Sequence, residues 1–185
     1  MDCYRSIVSL RAVRSYRPES LSGEQVRRIL EAGRWTGSAK NRQPWSFIVI
    51  EDEEMRRRVA RCGSFSSHLV EAPLVVVLVR HPDGYDLDMG RLMQNMMLAA
   101  AVEGVGSCPV TLHEEERARE VLGVPPGHGA RWAIAFGLPN EARERGARAD
   151  RRRALGGQPR KPLDELVHHH RWGSREGHPI RAGGQ

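Results

Sequence analysis

The sequence predicts a mixed α+β domain, and its length, its composition and the order of its patterned segments all point to this class. The chain has 185 residues, of which 39% are hydrophobic, and this suits one domain with its own core. Amphipathic helical segments alternate with short β-branched runs, but at unequal spacing. Unequal spacing favours a mixed α+β arrangement over a regularly wound parallel sheet.

Capping residues and β-branched runs mark the first elements. Ser22 and Gln25 form a capping-box pattern, which predicts a helix over residues 23–34. The β-branched and aromatic run Trp45–Glu51 predicts a strand, and Asp52 is placed to cap a charged helix after it. The chain therefore enters the sheet only after a first amphipathic helix.

The central part of the chain carries its most apolar segments. Leu74–Val79 predicts a strand buried on both faces, and it is too short for a membrane span of about 20 residues. Asp86–Glu103 predicts a long, methionine-rich helix whose apolar surface is wider than one stripe, as expected in a core or at a subunit interface. The remaining predicted elements are a turn and strand over Gly104–Leu112, a helix over Glu114–Leu122 and a strand over Trp132–Phe136.

The C-terminal part differs in composition from the rest. Pro139–Gln158 is rich in arginine, glycine and alanine and predicts a linker, and Pro162–Val167 predicts a short helical turn after it. From Glu141 to Gln185 there are 11 basic and 6 acidic residues, which accounts for most of the net charge of +6. The predicted organisation is a domain over residues 1–140 and a basic extension over residues 141–185.

Several classes of protein are disfavoured by what the sequence lacks. Three cysteines without CxxC spacing argue against a disulfide framework and a structural zinc site. No P-loop, HExxH, GxSxG or dinucleotide GxGxxG signature occurs, so no catalytic nucleophile and no metal site are predicted. The N-terminus has no apolar signal segment, and the expectation is a soluble, cytoplasmic protein without a membrane partner.

Three polar segments are candidates for binding an anionic or heteroaromatic ligand. Arg11, Arg14 and Arg17 recur at helical spacing, which would place them on one side; a solvated face is an equal alternative. Ser38–Trp45 carries amide and hydroxyl donors directly before a strand, and could bind a ring edge or form a simple turn. Arg160 and Lys161 add a basic pair beyond the predicted linker.

Five segments resemble, in order and spacing, sequence blocks of the FMN-dependent nitroreductase family. The most specific, Gly37–Trp45, resembles the block Pro-Ser-x-x-Asn-x-Gln-Pro-Trp of that family. The other four are Leu10–Pro18, similar to the opening arginine-rich block; Leu21–Trp35, similar to the helix after it; Asp88–Cys108, similar to the central helix and its Gly-x-Gly-Ser turn; and Arg160–Leu163 with Trp172 and Gly173, similar to the basic C-terminal block.

The resemblance implies a three-layer sandwich with a mixed central sheet flanked by helices, a homodimer with one FMN per subunit at the interface, and a C-terminal extension that reaches across the dimer. The implied cofactor-binding residues are Arg11, Ala12 and Arg14 in the opening block, Ser38, Lys40, Asn41 and Gln43 in the loop, Thr111 and Leu112 after the Gly-x-Gly-Ser turn, and the C-terminal pair Arg160 and Lys161.

Some positions depart from the family pattern. Leu10 and Ala12 stand where arginine and serine are common, so phosphate binding is expected to rest on the remaining arginines and the C-terminal pair. Gly37 replaces a proline, which loosens the ring-side loop. His68 lies near where some members have a lysine beside the flavin, and the expectation for it is a surface histidine.

The implied function is an oxidoreductase in which FMN carries a hydride from NAD(P)H to nitroaromatic, quinone or similar electron-poor small molecules, by a ping-pong mechanism. One alternative is a flavoenzyme of the same fold that acts on a single metabolite, as a dehydrogenase or by consuming its flavin. A second alternative is a non-enzymatic basic module that binds nucleic acid or another polyanion. The register of five family blocks favours the enzyme, and nucleic acid is not a predicted partner.

Overall fold

The protein has the predicted α+β architecture. Its computed structural model describes residues 3–154 and 160–174. The helices are α1 (Cys3–Ser9), α2 (Gly23–Arg34), α3 (Glu53–Ala60), α4 (His68–Glu71), α5 (Asp86–Val102), α6 (Glu115–Leu122), α7 (Glu141–Ala154) and α8 (Leu163–Leu166), with a 3-10 turn at Ala39–Asn41. The strands are β1 (Trp45–Ile50), β2 (Leu74–Arg80), β3 (Gly106–Thr111) and β4 (Gly129–Gly137). The chain divides into two compact units, Met1–Arg145 and Gly146–Gln185, and the sheet belongs to the first.

The four strands form one sheet in the order β1-β2-β4-β3, and each neighbouring pair is antiparallel. A mixed sheet was expected; among the described residues the parallel pairing is a single bridge between Ala12 and Ser107. The connections explain the strand directions. Because α3 and α4 return the chain to the end of the sheet where β1 stops, β2 starts there, with Val75 beside Ile50.

Helices cover both faces of this sheet, which gives the three-layer sandwich. β2 is buried along nearly its whole length, and its alternate residues enter two separate cores. Val75 and Val77 pack in the core that contains residues of α3, α4 and α6. Leu74 and Val76 pack in the core formed with α2 and α5. The unbroken apolar run was therefore a correct signal for a strand buried on both faces.

Helix α5 fills the core between α2 and the sheet. Met89 and Met96 are fully buried, and a Cβ on Gly33 of α2 would lie only 3.0 Å from the Met96 sulfur. The methionines thus act as packing residues, because their flexible side chains fit an irregular space. The other side of α5 is open, with Leu87 73% and Val102 54% exposed. Neither α5 nor any other helix in the described ranges is long and apolar enough to cross a membrane.

The structure corrects the prediction of a linker. Helix α7 covers Glu141–Ala154, most of the segment Pro139–Gln158, and residues 155–158 of that prediction lie outside the described part. Alanine and arginine are strong helix formers, and the composition was wrongly interpreted as a linker. Asn140 directly precedes the helix, and its side-chain oxygen accepts a hydrogen bond from the backbone N–H of Arg143 at 3.2 Å. Helix α1 was also missed, because its β-branched and polar residues are weak helix formers.

Candidate functional site

The predicted phosphate-binding segment, residues 11–17, is extended and crosses one end of the sheet. Its arginines do not lie on one side of a helix, so the interpretation of their spacing was wrong. The backbone instead pairs with strand ends: the N–H of Val13 donates to the carbonyl of Ser107, and the N–H of Arg17 to the carbonyl of Leu138, both at 2.9 Å. Pairing with the sheet competes with local helix formation and prevails here.

The three predicted residues on this segment differ in exposure. Arg11 is exposed, and its guanidinium donates to the carbonyl oxygens of Val8 and Leu10 at 3.0 and 2.9 Å. Ala12 and Arg14 are half-buried, and Ala12 forms the bridge to β3. Arg11 therefore keeps the remaining N–H groups of its fork directed to solvent, where an anion could accept from them.

A buried carboxylate fixes the same segment from α7. Glu144 is 1% exposed, and its Oε2 accepts hydrogen bonds from the backbone N–H groups of Arg14 and Ser15, each at 3.0 Å. Tyr16 beside them is also buried, and its hydroxyl donates to the carbonyl of Val13. Burial raises the pKa of Tyr16 well above its ordinary value of 10, so the phenol stays protonated. The geometry of the segment is thus set by buried hydrogen bonds.

The predicted ring-side loop is the most strained part of the described chain. Lys40, Asn41 and Gln43 have φ values of 54°, 52° and 51°, a left-handed conformation that is uncommon for residues other than glycine. The backbone N–H of Gln43 donates to the hydroxyl of Ser38 at 2.8 Å, and its side-chain amide donates to the carbonyl of Asn41 at 3.2 Å. Such strain persists where the surroundings impose it, and it clusters at ligand sites.

Helix α5 supplies the groups that hold this loop. The Nη1 of Arg91 donates to the carbonyl of Gly37 at 2.7 Å, and the amide of Asn95 donates to the hydroxyl of Thr36 at 2.8 Å. Lys40, Asn41 and Gln43 are themselves exposed. The loop is therefore anchored at its base while its polar side chains face outward.

Thr111 and Leu112, which the family resemblance implies as cofactor contacts, lie where β3 ends. Thr111 is half-buried, and Leu112 is fully buried and donates its N–H to the carbonyl of Arg131 at 2.8 Å. A side chain at Leu112 cannot touch a surface ligand from this position, so its contribution would come from its backbone. The carbonyl of Thr111 lies 2.9 Å from where a Cβ on Gly63 would stand, which brings the α3–α4 loop against this strand end.

Within one subunit, the structure does not bring all the predicted residues together. Trp45, Arg80 and Thr111 mark one end of the sheet, and the ring-side loop lies there, across the two inner strands from Thr111. The segment over residues 11–17 lies at the opposite end. Ser107 and Thr111 are four residues apart on β3, so about 13 Å separates the opening block from the strand end.

The C-terminal pair belongs to the second unit. Arg160 and Lys161 are exposed and lie directly before α8, whose Leu163 and Leu166 are 54% and 59% exposed. The ring of His168 lies 4.3 Å from that of Trp172. Arg160 and Lys161 thus lie close in the chain to two exposed leucines.

Sequence reasoning missed the residues that position the site. Glu144 lies in the segment predicted as a linker, and Arg91 was not among the predicted site residues. Neither has a local sequence signal, because each acts on a backbone group far away in the chain. His68 was expected at the surface, and that prediction was wrong: it begins α4 and is 8% exposed, because this short helix packs its first residues into the core.

The donors present fit a flavin mononucleotide. Guanidinium and ammonium groups suit a phosphate dianion, and amide, hydroxyl and backbone groups suit the polar edge of a heteroaromatic ring. Anchoring of both donor segments by buried or structural hydrogen bonds would preorganise them for a ligand. Among residues 3–154 and 160–174, no cluster of three or more histidine, cysteine, aspartate or glutamate side chains is placed to hold a metal ion.

Comparison with known sequences finds one family. The sequence model of the Nitroreductase family matches residues 7–62 and 63–138. A protein of Archaeoglobus fulgidus named as an NADH dehydrogenase/NAD(P)H nitroreductase is 30% identical over 154 residues, which is 77% of this chain and 88% of that protein. A Thermus thermophilus protein named NADH dehydrogenase is 26% identical over 181 residues, 76% of this chain and 88% of the relative.

Solved structures show the same fold. An FMN-dependent nitroreductase from Clostridium difficile superposes with a TM-score of 0.70 at 24% identity, and covers 74% of this chain and 87% of its own. Nitroreductase A from Vibrio parahaemolyticus gives a TM-score of 0.76 at 22% identity, over 91% of this chain and 75% of its own. At such identities the likeness establishes the architecture alone.

Proposed function

The chain belongs to the nitroreductase family, and from that premise we propose that it is an FMN-dependent enzyme that takes a hydride from NAD(P)H. The acceptors in this proposal are nitroaromatic compounds, quinones or similar electron-poor small molecules, reduced by a ping-pong mechanism. Family membership confirms the prediction of an oxidoreductase, whereas the cofactor, the acceptors and the mechanism are what we propose.

The observation that carries the proposal is the strained loop over residues 38–43. Lys40, Asn41 and Gln43 have left-handed backbones, which cost of order 1–3 kcal/mol at residues such as lysine and glutamine and less at asparagine. Arg91 and Asn95 of α5 hold the base of the loop. A loop kept in an unfavourable conformation while its polar side chains face outward is suited to binding a ligand. It is also the segment with the most specific resemblance to the family.

Each group of predicted residues has a role in this proposal. Arg11 and Arg14, with Arg160 and Lys161, bind the phosphate through charge-assisted hydrogen bonds. Ser38, Asn41 and Gln43 contact the ring system, and the backbone near Thr111 contacts its polar edge. The flavin, when bound, supplies the redox chemistry by accepting a hydride and passing two electrons on. The protein therefore needs no side-chain nucleophile, and its residues bind and orient.

A second copy of the chain would bring the separated groups together. The ring-side loop and the opening block lie at opposite ends of one subunit's sheet. In addition, Tyr4, Ile7 and Val8 of α1, a helix that contacts α5, are 70%, 51% and 51% exposed. Exposed apolar surface of this extent is typical of an interface. We therefore propose a homodimer in which α5 lies at the interface and both copies contribute to each flavin site.

The first prediction concerns the cofactor. The purified protein should be yellow and contain one FMN per subunit, because its cations suit a single terminal phosphate and the sequence lacks a dinucleotide fingerprint. Heat-released cofactor should migrate as FMN in chromatography, and NADH or NADPH should reduce the bound flavin. Recovery of FAD, or of no flavin after addition of FMN, would contradict the proposal. A screen of nitroaromatics and quinones then identifies the acceptor.

The second prediction concerns assembly. Sedimentation should give a mass of about twice 20.8 kDa, because burial of the α1 and α5 surfaces favours association. Leu87→Glu should shift the protein toward monomer and lower its flavin content, since a charge would be buried in the interface. Glu141→Gln, an exposed change in α7, is the control. A stable monomer that retains its flavin would disprove the shared site.

The third prediction concerns the C-terminal pair. Arg160→Ala should raise the dissociation constant of FMN by about one to two orders of magnitude, the loss expected for one charge-assisted hydrogen bond. Activity should fall at limiting FMN and recover at excess FMN. Arg171→Ala, a nearby exposed arginine, should leave FMN affinity unchanged. If wild type and Arg160→Ala bound FMN with equal affinity, Arg160 would be a solvated charge without a role in phosphate binding.

A further inference from the structure

A polar cavity lies between α3 and α4, apart from the residues assigned to the flavin. Its volume is about 320 Å³. Its lining includes Arg57 and Arg61, which are four residues apart in the chain, and Ser64 and Ser67. Two guanidinium groups and two hydroxyls around one cavity form a donor set suited to a phosphate group.

Most of these donors are available to a ligand. Within the part of the chain that the structure describes, Arg61 has no ion pair and no side-chain hydrogen bond, while Arg57 is paired with Glu53 on its own helix. The Ser67 hydroxyl makes no capping bond to α4. By contrast, the hydroxyl of Ser66 is already used, because it donates to the carbonyl of Gly63. Among the described residues, the side chain of Arg61 and the hydroxyls of Ser64 and Ser67 are thus left for a ligand.

The neighbouring carboxylates do not cancel this positive charge. The backbone N–H of Glu114 donates to the carbonyl of Cys62, the residue after Arg61, but the side chain of Glu114 is paired with Arg117 at 2.9 Å. The carboxylate of Glu53 forms an ion pair with Arg57. The charge left uncompensated around the cavity is therefore that of Arg61.

The cavity is joined to the end of β3. A Cβ on Gly63 would lie 2.9 Å from the carbonyl oxygen of Thr111, so only glycine allows this close approach. The backbone N–H of Ser64 donates to Nδ1 of His113 at 3.2 Å, which ties the same loop to the residue after Leu112. A ligand that reaches the ring contacts near Thr111 could therefore place another part of itself in the cavity.

We propose that this cavity binds a phosphate monoester, and that during turnover it holds the 2′-phosphate of NADPH. This inference rests on the proposed function, which requires a nicotinamide nucleotide as donor. The cavity is at the small end of the range of ligand pockets, so it is too small for a whole dinucleotide. It has room for a phosphate group and part of a sugar. NADH lacks that phosphate, so Arg61 would set the preference between the two donors.

The experiment compares Arg61→Gln with Arg58→Gln, a change at an exposed arginine of α3 that does not line the cavity. In steady-state kinetics of the holoenzyme, Arg61→Gln should raise the KM for NADPH by roughly tenfold and leave the KM for NADH and both kcat values unchanged. Arg58→Gln should behave like wild type. An equal change toward both donors, or none, overturns the assignment to the 2′-phosphate.

A binding measurement separates this inference from the proposed function. Calorimetry on the full chain should show adenosine 2′,5′-bisphosphate binding roughly tenfold more tightly than adenosine 5′-monophosphate, and Arg61→Gln should abolish the difference. Equal binding of the two nucleotides in wild type overturns the inference even if the protein is yellow and oxidises NADH. Inorganic phosphate that binds as tightly as the bisphosphate would show a site for free phosphate instead. A protein without flavin that still shows the Arg61-dependent difference would contradict only the proposal that the enzyme uses FMN.

Discussion

Replacement of Glu144 by alanine is expected to lower the free energy of unfolding by about 3–5 kcal/mol, a large share of the stability of a typical domain. The carboxylate is 1% exposed and accepts the backbone N–H groups of Arg14 and Ser15 at 3.0 Å. Alanine removes the oxygen that accepts both hydrogen bonds and leaves two backbone donors, one of them fully buried, without this partner. Urea denaturation followed by circular dichroism measures the change.

The same variant tests whether this clamp serves the cofactor. The segment over residues 11–17 carries the arginines proposed to hold the phosphate, so its release should also weaken FMN binding. Glu144→Gln keeps one acceptor oxygen and should lose less stability than the alanine variant. Glu141→Ala, exposed on the same helix, should change stability by less than about 0.5 kcal/mol. A Glu144→Ala protein as stable as Glu141→Ala would show that the clamp contributes nothing.

The elements that were predicted correctly are those with strong local signals. The capping box at Ser22 and Gln25 is present, with Gln25 N–H donating to the Ser22 hydroxyl and its side chain accepting the Ser22 N–H. The apolar run after Pro73 forms β2, and Asp52 caps α3 through the N–H of Met55. Each signal depends on residues within one turn or one strand, so the sequence is enough to interpret it.

The elements that were missed depend on distant contacts. Residues 11–17 have helical arginine spacing, yet they pair with Ser107 and Leu138, about a hundred residues away in the chain. Helix α7 has a linker-like composition, yet it contributes the buried Glu144. The direction of each strand likewise depends on where the helical connection before it ends. The sequence of the strand itself does not determine that direction. Tertiary contacts override local preference in each case.

The candidate site was predicted as a set of residues but not as an arrangement. The family blocks single out Ser38, Asn41 and Gln43, and the structure adds that the backbone there is left-handed at Lys40, Asn41 and Gln43. The sequence does not indicate this left-handed conformation at Lys40 and Gln43, because lysine and glutamine rarely adopt it. Asparagine is the one residue of the three that tolerates it well. The loop and the opening block lie at opposite ends of the sheet, and this could not be predicted from the sequence because it depends on the strand register.

Replacement of Gly137 by alanine is expected to destabilise the protein by about 2–3 kcal/mol, within the range for overpacked sites. Gly137 ends β4 opposite Gly106. A Cβ on Gly137 would lie 2.6 Å from Cδ of Pro73 and 2.8 Å from Cδ1 of Tyr16. Both are ring atoms that cannot turn aside, so the backbone of one neighbour must move.

The movement should reach the cofactor site because Tyr16 belongs to the segment that carries Arg11 and Arg14. We therefore expect Gly137→Ala to weaken FMN binding as well as to lower the unfolding midpoint in urea. Gly23→Ala is the matched control: a Cβ there meets nothing within 4 Å, and alanine should be neutral or stabilise helix α2 by up to about 1 kcal/mol. If Gly137→Ala lost stability but bound FMN as wild type does, the segment over residues 11–17 would not couple the sheet end to the phosphate.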